Sequence, residues 1–283
     1  RACRTGAFLE PNGPASHWAA ATRKQVTKGY AKWLGYLGST EQLEDSSSPS
    51  SRISEDRLTG FVAWMEAQKL SSVTIASRVP DLAEAIRVME PGADRTVLGA
   101  LVLTLRKREV PSRAKHARIL HPEQLLKGAI THLEEIPARK CLNELIRAGH
   151  YRDTLVIAFL AARPIRLKNI TSITLGQHLM QQDGTWICRF AAAETKEKRP
   201  LSFSLPHEVA GYLETYIERY RPLLLKGNEY PDLWISIRGT PMSEQAIYWN
   251  TCRLSETLFG HRINPHLFRD CTASALATDA PDH

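Results

Sequence analysis

Apolar residues recur at helical spacing along most of this chain and give way to strand-like runs only across residues 172–205 and 233–236. A pattern of that kind restricts the fold to packed helices around a small antiparallel sheet, mainly α with an α+β second half. With 283 residues and 43% apolar content, the chain has the length for two domains and enough apolar surface for a core in each. No stretch approaches the ~18 apolar residues of a membrane-spanning helix. The first residues, Arg1-Ala2-Cys3-Arg4-Thr5-Gly6, lack the apolar segment of a secretory signal. They also lack an initiator methionine, so the sequence reads as a fragment. The five cysteines (Cys3, Cys141, Cys188, Cys252 and Cys271) are scattered and form no CxxC pair. Reduced thiols in a cytoplasmic protein are expected, with neither a disulfide framework nor a zinc site.

The first third reads as helices only. Across 17–37, Val26, Tyr30, Trp33, Leu34 and Leu37 share a face, while Lys24, Lys28 and Lys32 lie four apart on another. A serine-rich loop follows at 44–51. A second helix is expected over 54–68 with Ser54 as its N-cap. A third is expected over 72–89, kinked or split at Pro80, because proline removes a backbone donor. A fourth is expected over 94–108, with Val97, Leu98, Leu101, Val102 and Leu105 facing inward.

From residue 120 onward, helices are expected at 122–132, 138–148 and 151–162, then a break at Pro164. After a short helix past Arg166, strands are expected at 172–179, 185–190 and 201–205. A turn lies at 182–184, and a polar segment, 194–199, joins the last two strands. Pro206 opens a helix carrying Val209, Leu213, Ile217 and Tyr220 in register. A short strand at 233–236 and helices at 243–259 and 265–277 complete the pattern. There is no internal repeat.

Net charge is +7, which favours polyanionic partners. The excess is clustered: Arg106, Lys107, Arg108, Arg113, Lys115 and Arg118 are opposed only by Glu109. That segment is either a solvated linker or a track for a phosphate backbone. The same two readings apply to Lys24, Lys28 and Lys32.

The segment Asn264-Pro265-His266-Leu267-Phe268-Arg269 places a proton-handling imidazole and a permanent cation three apart, on one helical face. About a hundred residues upstream stands an isolated arginine, in Pro164-Ile165-Arg166-Leu167-Lys168-Asn169-Ile170. Between them lies Glu194-Thr195-Lys196-Glu197-Lys198-Arg199.

In that order these segments resemble the catalytic domain of the tyrosine recombinase, or phage integrase, family. Arg166 matches the family's first arginine, with Arg163 as a rival. Lys196 matches its β-hairpin lysine, with Lys198 as a rival, and His266 and Arg269 match its His-x-x-Arg pair. The resemblance implies a four-helix, SAM-like core-binding domain over 1–108, a basic linker over 109–119 and a catalytic domain over 120–283. Together the two domains would clamp double-stranded DNA.

The resemblance also implies a mechanism. Two guanidiniums fork onto a scissile phosphate and stabilise its pentavalent transition state. The lysine protonates the departing 5′ oxygen, and the histidine helps move the nucleophile's proton. A tyrosine attacks phosphorus and holds the 3′ end covalently. No metal, cofactor or membrane is implied; the partner is double-stranded DNA, with a homo-tetramer on two DNA sites in the active parent, in the bacterial cytosol or nucleoid.

Two departures are visible: Asn169 stands where a glutamate is frequent, and Asp270 where a second histidine is common. The family's tyrosine should lie about thirty residues past Arg269, beyond the last residue given. Tyr30, Tyr36, Tyr151, Tyr212, Tyr216, Tyr220, Tyr230 and Tyr248 all precede the motif. The chain is therefore expected to bind DNA without cleaving it. The rival readings are a non-catalytic DNA-binding clamp, a type IB topoisomerase and a helical scaffold.

Overall fold

The computed structural model describes residue 3 and residues 12–111, 116–140 and 143–279. By its internal contacts the chain divides into two compact units, Arg1–Ala114 and Lys115–His283.

Unit 1 is built from α1 (Ala20–Ser39), α2 (Glu55–Ala67), α3 (Ser72–Met89) and α4 (Thr96–Lys107). Ser54 and Ser71 cap α2 and α3, accepting from the N–H of Arg57 and Thr74. The core joins Trp33, Tyr36 and Leu37 to Phe61 and Met65, and then to Val79, Leu82 and Ile86. Trp33 and Phe61 meet edge to face at 5.1 Å.

Two expectations change. Helix α3 runs unbroken through Pro80, so it is not split. Proline costs about 3 kcal/mol inside a helix, and the fully buried Val79 and Leu82 on either side hold the segment in place. Val97, expected inward, is exposed, because α4 turns Leu98 and Leu105 to the core.

Unit 2 surrounds one helix. α6 (Glu144–Ala162) is buried on every side from Thr154 to Ala161, with α5 (Pro122–Glu135) packed along it. The sequence pattern divides this stretch into two helices, but the structure has one. Gly149 sits at the division, and a Cβ there would lie 3.0 Å from Ile237 Cγ2. Glycine is used for close approach at that point, and the helix continues through it.

After α6 the short α7 (Leu167–Thr171) leads to an antiparallel sheet. The sheet comprises β1 (Leu179–Gln182), β2 (Thr185–Phe190) and β3 (Leu201–Ser204), in the order β1-β2-β3. Asp183 and Gly184 have φ of 47° and 75°, which suits a two-residue hairpin turn. Cys188 pairs with Phe203, and Phe190 with Leu201, so one face of alternating residues turns to the core.

Residues 172–178 are not a strand. The N–H groups of His178 and Leu179 both donate to the Thr174 carbonyl, and this tight turn delays the strand to Leu179. The 233–236 run makes only isolated bridges; Leu233, Trp234 and Ile235 are buried as a core segment instead.

α8 (His207–Thr215) passes through a π-helical turn at Tyr216–Tyr220 into α9 (Arg221–Leu225). α10 (Glu244–Phe259), capped by Ser243, and α11 (Pro265–Asp279) follow. The described residues are therefore mainly helical with one small antiparallel sheet. None of their helices is long and apolar enough to cross a membrane.

Two glycines of unit 1 test the packing in opposite directions. A Cβ on Gly29 would lie 2.4 Å from Asp81 Cβ, between α1 and α3, whereas Gly99 on α4 has open space around it. Gly29→Ala is expected to destabilise the full chain by ~1–3 kcal/mol through overpacking. Gly99→Ala is expected to stabilise it by up to ~1 kcal/mol through helix propensity. Urea unfolding followed by tryptophan fluorescence checks both; equal midpoints would contradict the close approach of α1 and α3.

Candidate functional site: a hollow lined by two arginines

α6 ends at Ala162, and the next four residues carry the chain out of the core. Ile165 is buried as an anchor. Arg166, in extended backbone with φ −68° and ψ 149°, becomes the residue before α7. Asn264 opens α11 by accepting from the N–H groups of His266 and Leu267. Leu267 and Phe268 are buried, which turns Arg269 outward. The Arg269 Nη1 then donates to the Pro164 carbonyl at 2.9 Å. This bond ties α11 to the exit of α6, two residues from Arg166.

Arg166 and Arg269 line a single hollow of about 290 Å³, together with Ile165, Asn169, Thr195, Glu197, Arg199, Pro200 and Leu201. Both Nη atoms of Arg166 donate to the two carboxylate oxygens of Glu197, a bidentate pair. That hydrogen bond, aided by the charges of Arg166 and Arg269, holds the Glu197 carboxyl below its ordinary range.

Glu197 belongs to the turn between β2 and β3, and the foot of that turn is firmly held. The Thr174 N–H donates to His178 Nδ1, so that nitrogen is an acceptor and Nε2 carries the proton. Nε2 lies 2.8 Å from Glu194 Oε1, while the other Glu194 oxygen accepts from the Ala191 N–H at 2.7 Å. These bonds, with His178 first, lower the Glu194 pKa. The buried Asn169 donates to the Glu194 carbonyl. Above this foot, the Thr195 hydroxyl donates to the Arg199 carbonyl at 2.7 Å and accepts from its N–H. Residues 196–198 form the tip.

Of the four expected catalytic residues, the structure brings two to one hollow. Lys196 is exposed on the tip and His266 is exposed on the first turn of α11; neither lines the hollow. The rival Arg163 is tied to the sheet through its Nε and the Ser204 carbonyl. The rival Lys198 is exposed, with φ of 53°. No described tyrosine lines the hollow. Tyr36, Tyr151, Tyr216 and Tyr220 are core residues. Burial raises the Tyr216 phenol to about 12; burial and a bond to Glu134 do the same for Tyr212. Among the described residues, no three His, Cys, Asp or Glu side chains gather as a metal site.

Glu197 is the residue at the hollow that sequence reasoning passes over. Its signal is a lone carboxylate between two lysines, in a segment that otherwise reads as a polar connection.

The basic residues of unit 1 differ in availability. Lys24 and Lys28 are exposed on α1. Lys32 reaches Gln68 and lies over the Trp64 ring at 5.4 Å. Arg106, Lys107 and Arg108 are exposed at the end of α4, where they also complement the helix dipole. Arg113 and Lys115 lie outside the described residues. In unit 2, Arg118 donates to the Arg262 carbonyl.

No protein-family model matches the chain. The tyrosine recombinase XerD of Staphylococcus saprophyticus is 25% identical over 236 residues, covering 80% of this chain and 77% of the relative. XerD of Staphylococcus aureus is 26% identical over 155 residues, covering 54% of this chain and half of the relative. Among solved structures, the XerH site-specific recombinase bound to its difH substrate superposes with a TM-score of 0.59 at 16% identity. That match covers 93% of this chain and 70% of XerH. The Tn1549 transposon integrase with transposon right-end DNA gives 0.61 at 13% identity, over 94% of this chain and 84% of the integrase. At these identities the structural likeness is one of fold.

The Arg166–Glu197 pair makes a titration prediction. The Glu197 carboxyl, paired with Arg166, is expected to titrate below the ordinary glutamate value of about 4.3. Arg166→Ala is expected to return it upward. The guanidinium holds the ionised form, so the pair is intact above the depressed pKa and lost as pH falls through it. Carbon-detected NMR titration of the glutamate carboxyls reads this directly; an unchanged Glu197 in the variant would contradict the pairing.

Proposed function

We propose that this chain, which belongs to the tyrosine recombinase family of DNA strand transferases, binds duplex DNA and seats a backbone phosphate in the hollow of Arg166 and Arg269. The observation that carries the reading is the meeting of these two guanidiniums, 103 residues apart in sequence, at one hollow. Guanidinium forks match the non-bridging oxygens of a phosphodiester and oppose the charge that grows on them in a pentavalent transition state. Lys196, on the tip of the neighbouring turn, is the proton donor to the 5′ oxygen. His266, one helical turn from Arg269, handles the nucleophile's proton. In the active parent enzyme the reaction is site-specific strand exchange through a 3′-phosphotyrosine, carried out by a homo-tetramer on two DNA sites in the bacterial cytosol. Support comes from the XerD relatives, and from XerH and the Tn1549 integrase, which were themselves captured with DNA.

Residues 1–108 act as the core-binding domain, 109–119 as a basic linker and 120–283 as the catalytic domain. Lys24, Lys28, Lys32 and the Arg106–Lys107–Arg108 run of unit 1, continued through Arg113, Lys115 and Arg118, contribute contacts to the phosphate backbone. By itself the chain grips DNA without cutting it, because no described tyrosine lines the hollow. That same observation favours a second reading, a non-catalytic clamp that keeps the phosphate site.

Duplex binding by fluorescence anisotropy across a salt series tests the proposal. Affinity is expected to fall steeply and linearly in log–log form as salt rises. Arg269→Ala is expected to weaken binding by about tenfold. On a denaturing gel the wild type is expected to leave no covalent adduct with DNA. Salt-independent binding, or none at low salt, overturns the proposal; an adduct overturns the non-cleaving part of it.

A further inference from the structure

The Arg166 fork already holds an anion. The Glu197 carboxylate presents two oxygens to its two Nη atoms, as two non-bridging phosphate oxygens would. It does so at the hollow that Arg269 also lines. We propose that Glu197 is a positioning residue: it holds Arg166 in place while no DNA is bound, and it competes with the phosphodiester for the same fork. This rests on the reading of the hollow as a phosphate site.

Three observations favour a displaceable contact over a fixed structural pair. The Glu197 side chain is 52% exposed and that of Arg166 28%, so water and salt screen the pair and a second anion can reach it. Only the tip of the turn needs to move. Its foot is anchored through Glu194 to His178, Ala191 and Asn169, and its neck is closed by Thr195 and Arg199. Finally, Lys196 is exposed on the same tip and outside the lining of the hollow, while the next residue, Glu197, takes the fork. Release of Glu197 frees the three-residue tip, and with it the lysine, to rearrange around a bound phosphate. Exchange of one anion for another at Arg166 therefore couples phosphate binding to the placement of the proton donor.

A double-mutant cycle tests this in the full chain, with wild type, E197Q, R166A and the R166A/E197Q double variant. Duplex affinity is measured by anisotropy at fixed salt. E197Q is expected to bind about two- to fivefold more tightly than wild type, the range of an exposed ion pair. The double variant is expected to bind like R166A, since without the fork there is nothing to compete for. An E197Q affinity equal to or below wild type overturns the proposal. So does an equal gain in the R166A background, which would mark a simple effect of net charge. If the wild type fails to bind duplex at all, the reading of the hollow as a DNA site fails instead. The contact is then read from the Arg166 side-chain N–H signal during titration with dimethyl phosphate. E197Q is expected to shift at a several-fold lower concentration than wild type, and an unchanged midpoint overturns the competition.

Discussion

The hydrogen bond from Arg269 to the Pro164 carbonyl is the contact on which the rest of the site depends. It joins the second turn of α11 to the segment leaving α6, the helix around which unit 2 is packed. α6 has no exposed side from Thr154 to Ala161, so its end is fixed by the burial of many side chains at once. Ile165, buried just beyond it, transmits that rigidity to Arg166. The two arginines are thus placed by the core rather than by attraction to each other.

Two guanidiniums lining one hollow repel, and an anion beside them offsets that repulsion. In this structure the anion is Glu197, delivered by the turn between β2 and β3. The sheet is small, but it sets the height of that turn: the pairing of Phe190 with Leu201 brings the two strand ends together, and ten residues bridge them. The His178–Glu194 link fixes the foot of the bridge, with the tautomer set by the Thr174 N–H. The β-hairpin therefore acts on the arginine through a charge at its tip, and the apolar face of the sheet serves to hold that tip in range.

Much of this was legible in the sequence. The four helices of unit 1, the Ser54 cap, the strands at 185–190 and 201–204 and the two motif-bearing helices follow from periodicity and cap residues. What was not legible has common physical causes. Pro80 and Gly149 are helix-breaking residues by local preference, yet tertiary packing on Val79, Leu82 and Ile237 overrides the preference, and both helices run through. The run at 172–179 has the apolar character of a strand, but the backbone folds back at Thr174 to meet His178. Leu233 to Ile235 is apolar because it is core, which period alone does not separate from a strand. At the hollow, the motifs single out Arg166 and Arg269, and both residues line it. Glu197, a carboxylate between lysines, reads as solvent-facing until its partner, 31 residues upstream, is known.

The most direct measurement follows the two guanidiniums themselves. In the full chain, the side-chain N–H signals of Arg166 and Arg269 are recorded by NMR while a short duplex is added. Both signals are expected to move together and to saturate at one duplex concentration, because a single phosphate engages both. Saturable binding of the duplex elsewhere on the molecule, with both arginine signals unmoved, would contradict it.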